Sequence, residues 1–395
     1  MIFLTDNFNF SDNFPRQGEE PENCNSPSPL NGQGDAPFKP PYGFQPPYGN
    51  QPPYGGYPYG APYGRKPSLM KRITEFFADK RVLSLSMASI AAAGAIILFE
   101  IFGDIFSLVL RSNESLRVLY TQNHTAEMAM GMLYTLLGVG VPFFIAYLFL
   151  RKTGSVQLPL AAPAKKSGAL YLIPAGLGIC YIGNVAVSYM MSFFSSMGIS
   201  SYSYDMALTQ AEPLPENAFQ LICAVMYMAV FPAFFEEFAF RGVVMQPLRK
   251  YGDWFAIIVS AVIFGLVHGN IMQMPFAIVA GVALGYSSVV TGSLWTGMII
   301  HFLNNFLSLV YSWARTGLSD SANLVFSGIF TYGIIIIGIV ALTGYSWNNP
   351  RMLKLYPSVS KVRSSRATAV YFFMPAMLVA LVLLAKNILT DIVVR

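Results

Sequence analysis

At 395 residues, 54% hydrophobic and 11% charged, with a mean hydropathy of +0.48, the chain is too apolar for an ordinary soluble protein and reads as a polytopic membrane protein. Its formal net charge of +5 sits in Lys and Arg residues beside apolar runs, so the charge is topological and no nucleic-acid partner is expected. Three cysteines, Cys24 in a polar tail and Cys180 and Cys223 in apolar runs, offer neither a disulfide framework nor a CxxC metal spacing.

Residues 1–64 are rich in Pro, Gly, Tyr, Asn and Gln. PPYG recurs at Pro40, Pro46 and Pro52 and shortens to PYG at Pro58 and Pro62. Such a segment buries too little apolar surface to fold, so a disordered cytoplasmic tail is expected. PPYG lacks the PPxY spacing of WW-domain ligands, so no partner domain follows from it. The opening MIFLTDNFNFSDN has no basic stretch followed by an apolar one, so no cleavable signal peptide is expected, and the first transmembrane helix directs insertion.

A basic juxtamembrane segment, 65–81, carries Arg65, Lys66, Lys71, Arg72, Lys80 and Arg81 and places the N-terminus in the cytoplasm. Beyond it, residues 82–395 form a transmembrane domain with apolar stretches at 82–110, 128–150, 168–193, 218–245, 254–269, 271–290, 294–314, 323–345 and 368–390. The fold class is therefore all-α, a helix bundle of about eight to nine spans, the fifth stretch being marginal in length. The expected cytoplasmic connections hold Arg151, Lys152, Lys165, Lys166, Arg249, Lys250, Arg351, Lys354, Lys361, Arg363 and Arg366. The connection after the third stretch holds Asp205, Glu212 and Glu216 and no Lys or Arg. Trp254, Trp295, Trp313 and Trp347 fall at span ends, as an interfacial belt requires. Glu100 and Asp104 lie near the outer boundary of the first span and read as solvated, outside any site. His124 reads as an exposed loop residue. Gly281 and Gly285 have the four-residue spacing of close helix packing.

Chemistry concentrates in three motifs. Phe234 to Gly242, FFEEFAFRG, sets two carboxylates and an arginine in an apolar run, where ionisable groups are costly and mark function. Glu237 and Arg241 share a helical face in the favourable acid-before-base order, so Arg241 neutralises Glu237. Glu236, rotated about 100° away, has no local partner and is the reactive candidate. Phe264 with His268, and His301 with Asn305, repeat the i,i+4 spacing in later stretches and contain two of the chain's three histidines. A rise of 1.5 Å per residue sets His301 within about 10 Å of the inner surface and His268 some 20 Å up. A common site thus needs the fifth span tilted or started deeper.

The succession Glu-Glu-x-x-x-Arg, Phe-x-x-x-His and His-x-x-x-Asn on separate helices resembles the CPBP family, the CAAX-protease and bacteriocin-processing intramembrane endopeptidases, which include the Rce1-like type II CAAX prenyl endopeptidases. The resemblance covers about 218–314 and departs from the pattern at no motif position. It implies a water-filled cavity where Glu236, His268, His301 and Asn305 converge, and hydrolysis of a peptide bond in a membrane-bound peptide or protein substrate. Amide hydrolysis needs an activated water, a proton for the leaving amine and donors for the oxyanion. Glu236 is the candidate base, His268 helps hold the water, and His301 and Asn305 are the oxyanion donors. Glu237 and Arg241, with Phe264, support them.

Two alternatives stand beside this reading. The family is commonly labelled a metalloprotease group, and Glu236, His268 and His301 form a possible Zn²⁺ ligand set, although H-E-x-x-H is absent. A non-catalytic scaffold or bacteriocin-immunity protein of the same fold is the alternative function. Proton-coupled transport is disfavoured by the lack of a repeat of the motifs between halves. The membrane is the cytoplasmic membrane for a bacterial host and the endoplasmic reticulum for a eukaryotic one.

Overall fold

The computed structural model describes Ser68, Met70, Thr74 and residues 78–163, 166–201, 214–360 and 362–394. The PPYG tail, most of the basic segment before it enters the membrane, and Asp205 and Glu212 lie outside the described residues. Each of the nine apolar stretches is helical. In chain order they are α1 (Lys80–Ser112), the short α2 (Glu114–Gln122), α3 (His124–Lys152), α4 (Lys166–Ser196), α5 (Ala218–Tyr251), α6 (Asp253–Val267), α7 (Gln273–Thr291), α8 (Leu294–Arg315), α9 (Asp320–Asn348), and the pair α10 (Ser364–Phe372) and α11 (Pro375–Asp391). This is a multi-pass integral membrane protein. Among the described residues seven helices are long and apolar enough to cross a bilayer, or eight if α10 and α11, bent by 72°, count as one span.

Local sequence explains the breaks. Asn113, Asn123 and Asn217 each cap a helix, accepting from the amides of Leu116, Ala126 and Gln220. Pro375 opens α11 where its missing N–H costs nothing, and this sets the bend. Gly292, at φ 66°, ends α7 in the left-handed conformation a side chain resists. Helix α9 leaves Ile329, Ile336, Ile337 and Val340 exposed on a face suited to lipid tails.

Small residues let the helices close up. A Cβ on Gly178 would lie 2.7 Å from the Gly338 Cα, so α4 and α9 meet backbone to backbone. Gly281 faces Ala261 and Gly285 faces Ile257 and Met245, which puts α7 hard against α5 and α6, as the spacing of the two glycines anticipates.

The bundle has two distinguishable ends. At one, Tyr251 donates to the Arg81 carbonyl, Arg81 to the Ser360 carbonyl, and Lys250 pairs with Ser84. At the other, β1 (Ile199–Ser201) pairs antiparallel with β2 (Ile392–Val394), and the buried Asp391 accepts from the Ser201 hydroxyl and the Ile271 amide. The strand pair thus ties the chain after α11 to the segment that follows α4, and Asp391 ties it to the loop that follows α6.

Candidate active site

The site is built on α5, which is not a uniform α-helix. Two π-helical segments, Met226–Val230 and Phe238–Val244, flank the two glutamates. Such insertions loosen the backbone ladder and free carbonyls. Met228 illustrates the effect, because its α-helical donor would be the nitrogen of Pro232, which carries no hydrogen. Asn305 of α8 supplies the donor instead, Nδ2 to the Met228 carbonyl at 3.1 Å. In the second segment Ser260 of α6 donates to the Phe240 carbonyl at 2.8 Å, and Gln246 to that of Arg241 at 2.9 Å. Asn305 and Ser260 from neighbouring helices, with Gln246 of α5 itself, therefore hold α5 in this distorted form.

Inside that frame the adjacent glutamates divide in character. The Glu237 side chain is 0% exposed; its Oε1 forms an ion pair with Arg241 Nη1, at 2.9 Å, and accepts from His301 Nδ1, at 3.0 Å. Arg241 is among the largest wholly buried side chains of the described residues and stacks on the Phe264 ring, 4.3 Å from its centroid. Two charges at this depth persist because each compensates the other. Glu236 is different. Its side chain is 23% exposed, it has no cation of its own, and its Oε2 stands 3.8 Å from His301 Nε2.

Phe264 joins the pieces. Its carbonyl accepts from His268 Nδ1 at 2.7 Å, and its ring packs against both imidazoles, with centroids 4.8 Å from His268 and 6.1 Å from His301. The two histidines, set apart by counting along the helices, meet through the Phe264 ring that packs on both. Helix α6 has only 15 residues, and His268 is its C-cap rather than an interior position. With Nδ1–H given to the Phe264 carbonyl, His268 turns a bare Nε2 lone pair towards its surroundings. His301, donating from Nδ1 to Glu237, has an Nε2–H only when the ring carries both protons.

These residues lie within a family match. Residues 218–307 match the Rce1-like family model, described as type II CAAX prenyl endopeptidase. The Rce1-like segment contains α5 to α7 and most of α8, and so every residue of the three motifs. Comparison with curated proteins and with solved structures returned no match.

Within the Rce1-like segment the structure brings Glu236, Glu237, Arg241, Phe264, His268 and His301 into one connected set. Asn305, one turn beyond His301, is tied to α5. Three further residues escaped the sequence reading. Asn304 donates to Asn305 Oδ1 at 3.1 Å, which turns the Asn305 amide nitrogen towards α5. A Cβ on Gly297 would stand 2.9 Å from Glu237 Oε2 and 2.6 Å from the Ser288 hydroxyl, so Gly297 and Ser288 shape the back of the carboxylate pocket. Gly297→Ala is therefore expected to destabilise by about 1–3 kcal/mol through overpacking, read as a lower melting temperature in detergent. The only sequence signal for Gly297 was its place one turn before His301.

A correction concerns Glu100. It is not a solvated boundary residue: Oε2 accepts from Asn387 at 2.8 Å, and Oε1 is shut off from solvent with no partner. It lines a cavity together with His268.

A zinc site was tested against the same geometry. Among the described residues no three His, Cys, Asp or Glu side chains gather closely enough to hold a metal ion. The set Glu236, His268 and His301 does not fit a zinc centre as arranged, and no step below runs through a metal. Purified protein is expected to keep its activity in chelator, with a metal content that His268→Ala leaves unchanged; stoichiometric zinc lost on that substitution would contradict this.

Proposed function

We propose that the protein is an intramembrane endopeptidase that hydrolyses a peptide bond of a membrane-associated substrate, of the CAAX-processing or peptide-maturing kind. The observation that carries this reading is the asymmetry of the glutamates. Glu237 is locked to Arg241 and His301, while its neighbour Glu236 is left reachable, beside an imidazole and without a neutralising cation.

The chemistry then follows from the side chains. Glu236 takes a proton from water as the water oxygen bonds to the scissile carbonyl carbon. His268 Nε2, the free acceptor, orients that water. The carbonyl oxygen gains charge and is met by donors from α8, the Nε2–H of His301 in its doubly protonated form and the second amide hydrogen of Asn305. As the carbon–nitrogen bond breaks, Glu236 returns the proton to the departing amine. The products are a carboxylic acid and a free amine, and Glu236 is again ionised.

Glu237, anchored by Arg241, sets the His301 ring plane. The end bearing Arg81, Lys250 and Arg351 is assigned to the cytoplasm. The test compares protein termini across the membrane proteome of cells carrying the native chain or Glu236→Gln at equal expression. Termini present only with the native chain identify the protease and its substrates together. Identical termini in both, with any host phenotype retained by the variant, overturn the reading in favour of a scaffold.

A further inference from the structure

The geometry points to a cation-binding subsite ahead of His268, which selects substrates carrying a lysine or arginine side chain close to the cleaved bond. This rests on the peptidase reading above and adds a substrate class to it. The subsite is a cavity of about 570 Å³ reaching from His268 and Gly269 to α1 and α3, outside the segment that carries the motifs. That volume lies within the range of small-ligand pockets and accommodates a long side chain with its water.

Its walls have a definite chemistry. Glu100 and Asp104, one turn apart on α1, are the charged residues that line it, and neither Lys nor Arg is present among the lining residues. Lys386, beside Asn387, reaches Glu100 electrostatically without lining the cavity. Asp104 is exposed at the opening, and Glu100 lies deeper, one oxygen fixed by Asn387 and the other buried without a partner. Between and around the carboxylates stands a cluster of rings. Phe106 packs on Tyr134 with centroids 5.3 Å apart and on Tyr120 at 6.2 Å, and Phe99 meets Tyr134 at 6.1 Å. Aromatic faces and carboxylates together attract a cation with a long apolar stem, since the rings cover the methylenes and the quadrupoles and charges meet its head. A neutral or acidic side chain gains little there, and an acidic one is repelled.

Continuity with His268 makes this a subsite of the proposed catalytic centre rather than a separate pocket. Asn387 connects the two. Its Cβ lies 3.4 Å from the position a Cβ on Gly269 would take, and its amide holds Glu100. A side chain seated between Glu100 and Asp104 therefore belongs to a peptide whose backbone passes His268.

The test separates binding from cleavage. The full chain carrying Glu236→Gln, in phosphatidylcholine liposomes without charged lipid, is titrated with fluorescent, lipid-anchored peptides from a position-scanned set that places Lys, Arg, Gln or Glu at each site in turn. At one or two positions Lys and Arg peptides are expected to bind about tenfold more tightly than Gln peptides. Adding Glu100→Gln and Asp104→Asn is expected to bring that ratio within about twofold, with Gln peptides binding as before. The same peptides are then offered to the chain with Glu236 intact, and cleavage should follow the same order. Cleavage without a Lys or Arg preference, a preference that survives the double substitution, or an equal loss for all peptides overturns the subsite and leaves the peptidase reading standing. Charge-selective binding that needs Glu100 and Asp104, with no cleavage of any peptide, retains the subsite and overturns the peptidase reading.

Discussion

Glu236→Gln and Glu237→Gln, the same one-atom exchange at adjacent positions, are expected to fail in opposite ways. At Glu236 the amide keeps the shape and loses only the proton acceptor. The side chain is partly exposed and holds no cation in place, so the protein should melt at the native temperature while cleavage of an identified substrate falls by about 10³-fold, the scale of a lost general base. At Glu237 the amide removes the charge that compensates Arg241, a guanidinium with 1% side-chain exposure. Leaving such a charge unpaired costs about 3–5 kcal/mol, so this variant should lose stability first and activity with it. Melting in detergent beside a cleavage assay separates the outcomes. A Glu236→Gln protein that unfolds early, or a Glu237→Gln protein of native stability, would contradict the division of roles.

Removing the cation gives the second large effect. Arg241→Met strands Glu237 at the same depth and withdraws the cation stacked on Phe264, again at a cost of about 3–5 kcal/mol. Combining it with Glu237→Leu eliminates both charges, and a buried ion pair replaced by apolar groups of similar volume is often neutral or stabilising. The double variant should therefore be more stable than either single one, a strongly non-additive cycle. Its activity should stay lost, because His301 Nδ1 no longer has the carboxylate that fixes the ring. Recovered stability with recovered cleavage would mean that the pair holds the fold together and does not position His301.

The sequence made the membrane spans and the three motifs legible because both are local. Apolar runs of span length record burial in lipid directly, and i,i+4 spacing places Glu237 with Arg241, and Phe264 with His268, without knowledge of other helices. The π segments of α5 were not legible, since a run that is apolar on all sides gives no periodicity from which to tell 3.6 residues per turn from a wider helix. Pro232 was the available clue, four residues after the carbonyl that Asn305 satisfies. Glu100 was misjudged for another reason: its depth was read from its rank along α1, whereas its burial comes from Asn387, 287 residues later. The distance between His268 and His301 was likewise counted along helix axes. The geometry that matters there is the Phe264 ring of α6, which packs on both imidazoles.

The clasp at the far end of the bundle also sets an order of events in time. Asn387 and Asp391 brace the turn after His268, yet the ribosome makes them long after α5, α6 and α8 have left its tunnel. Until α11 inserts and β2 finds β1, the histidine turn lacks its brace, so a nascent chain carries the whole set of reactive groups without their final alignment. Biosynthesis thus completes the support of the histidine turn only when the closing helix is in place.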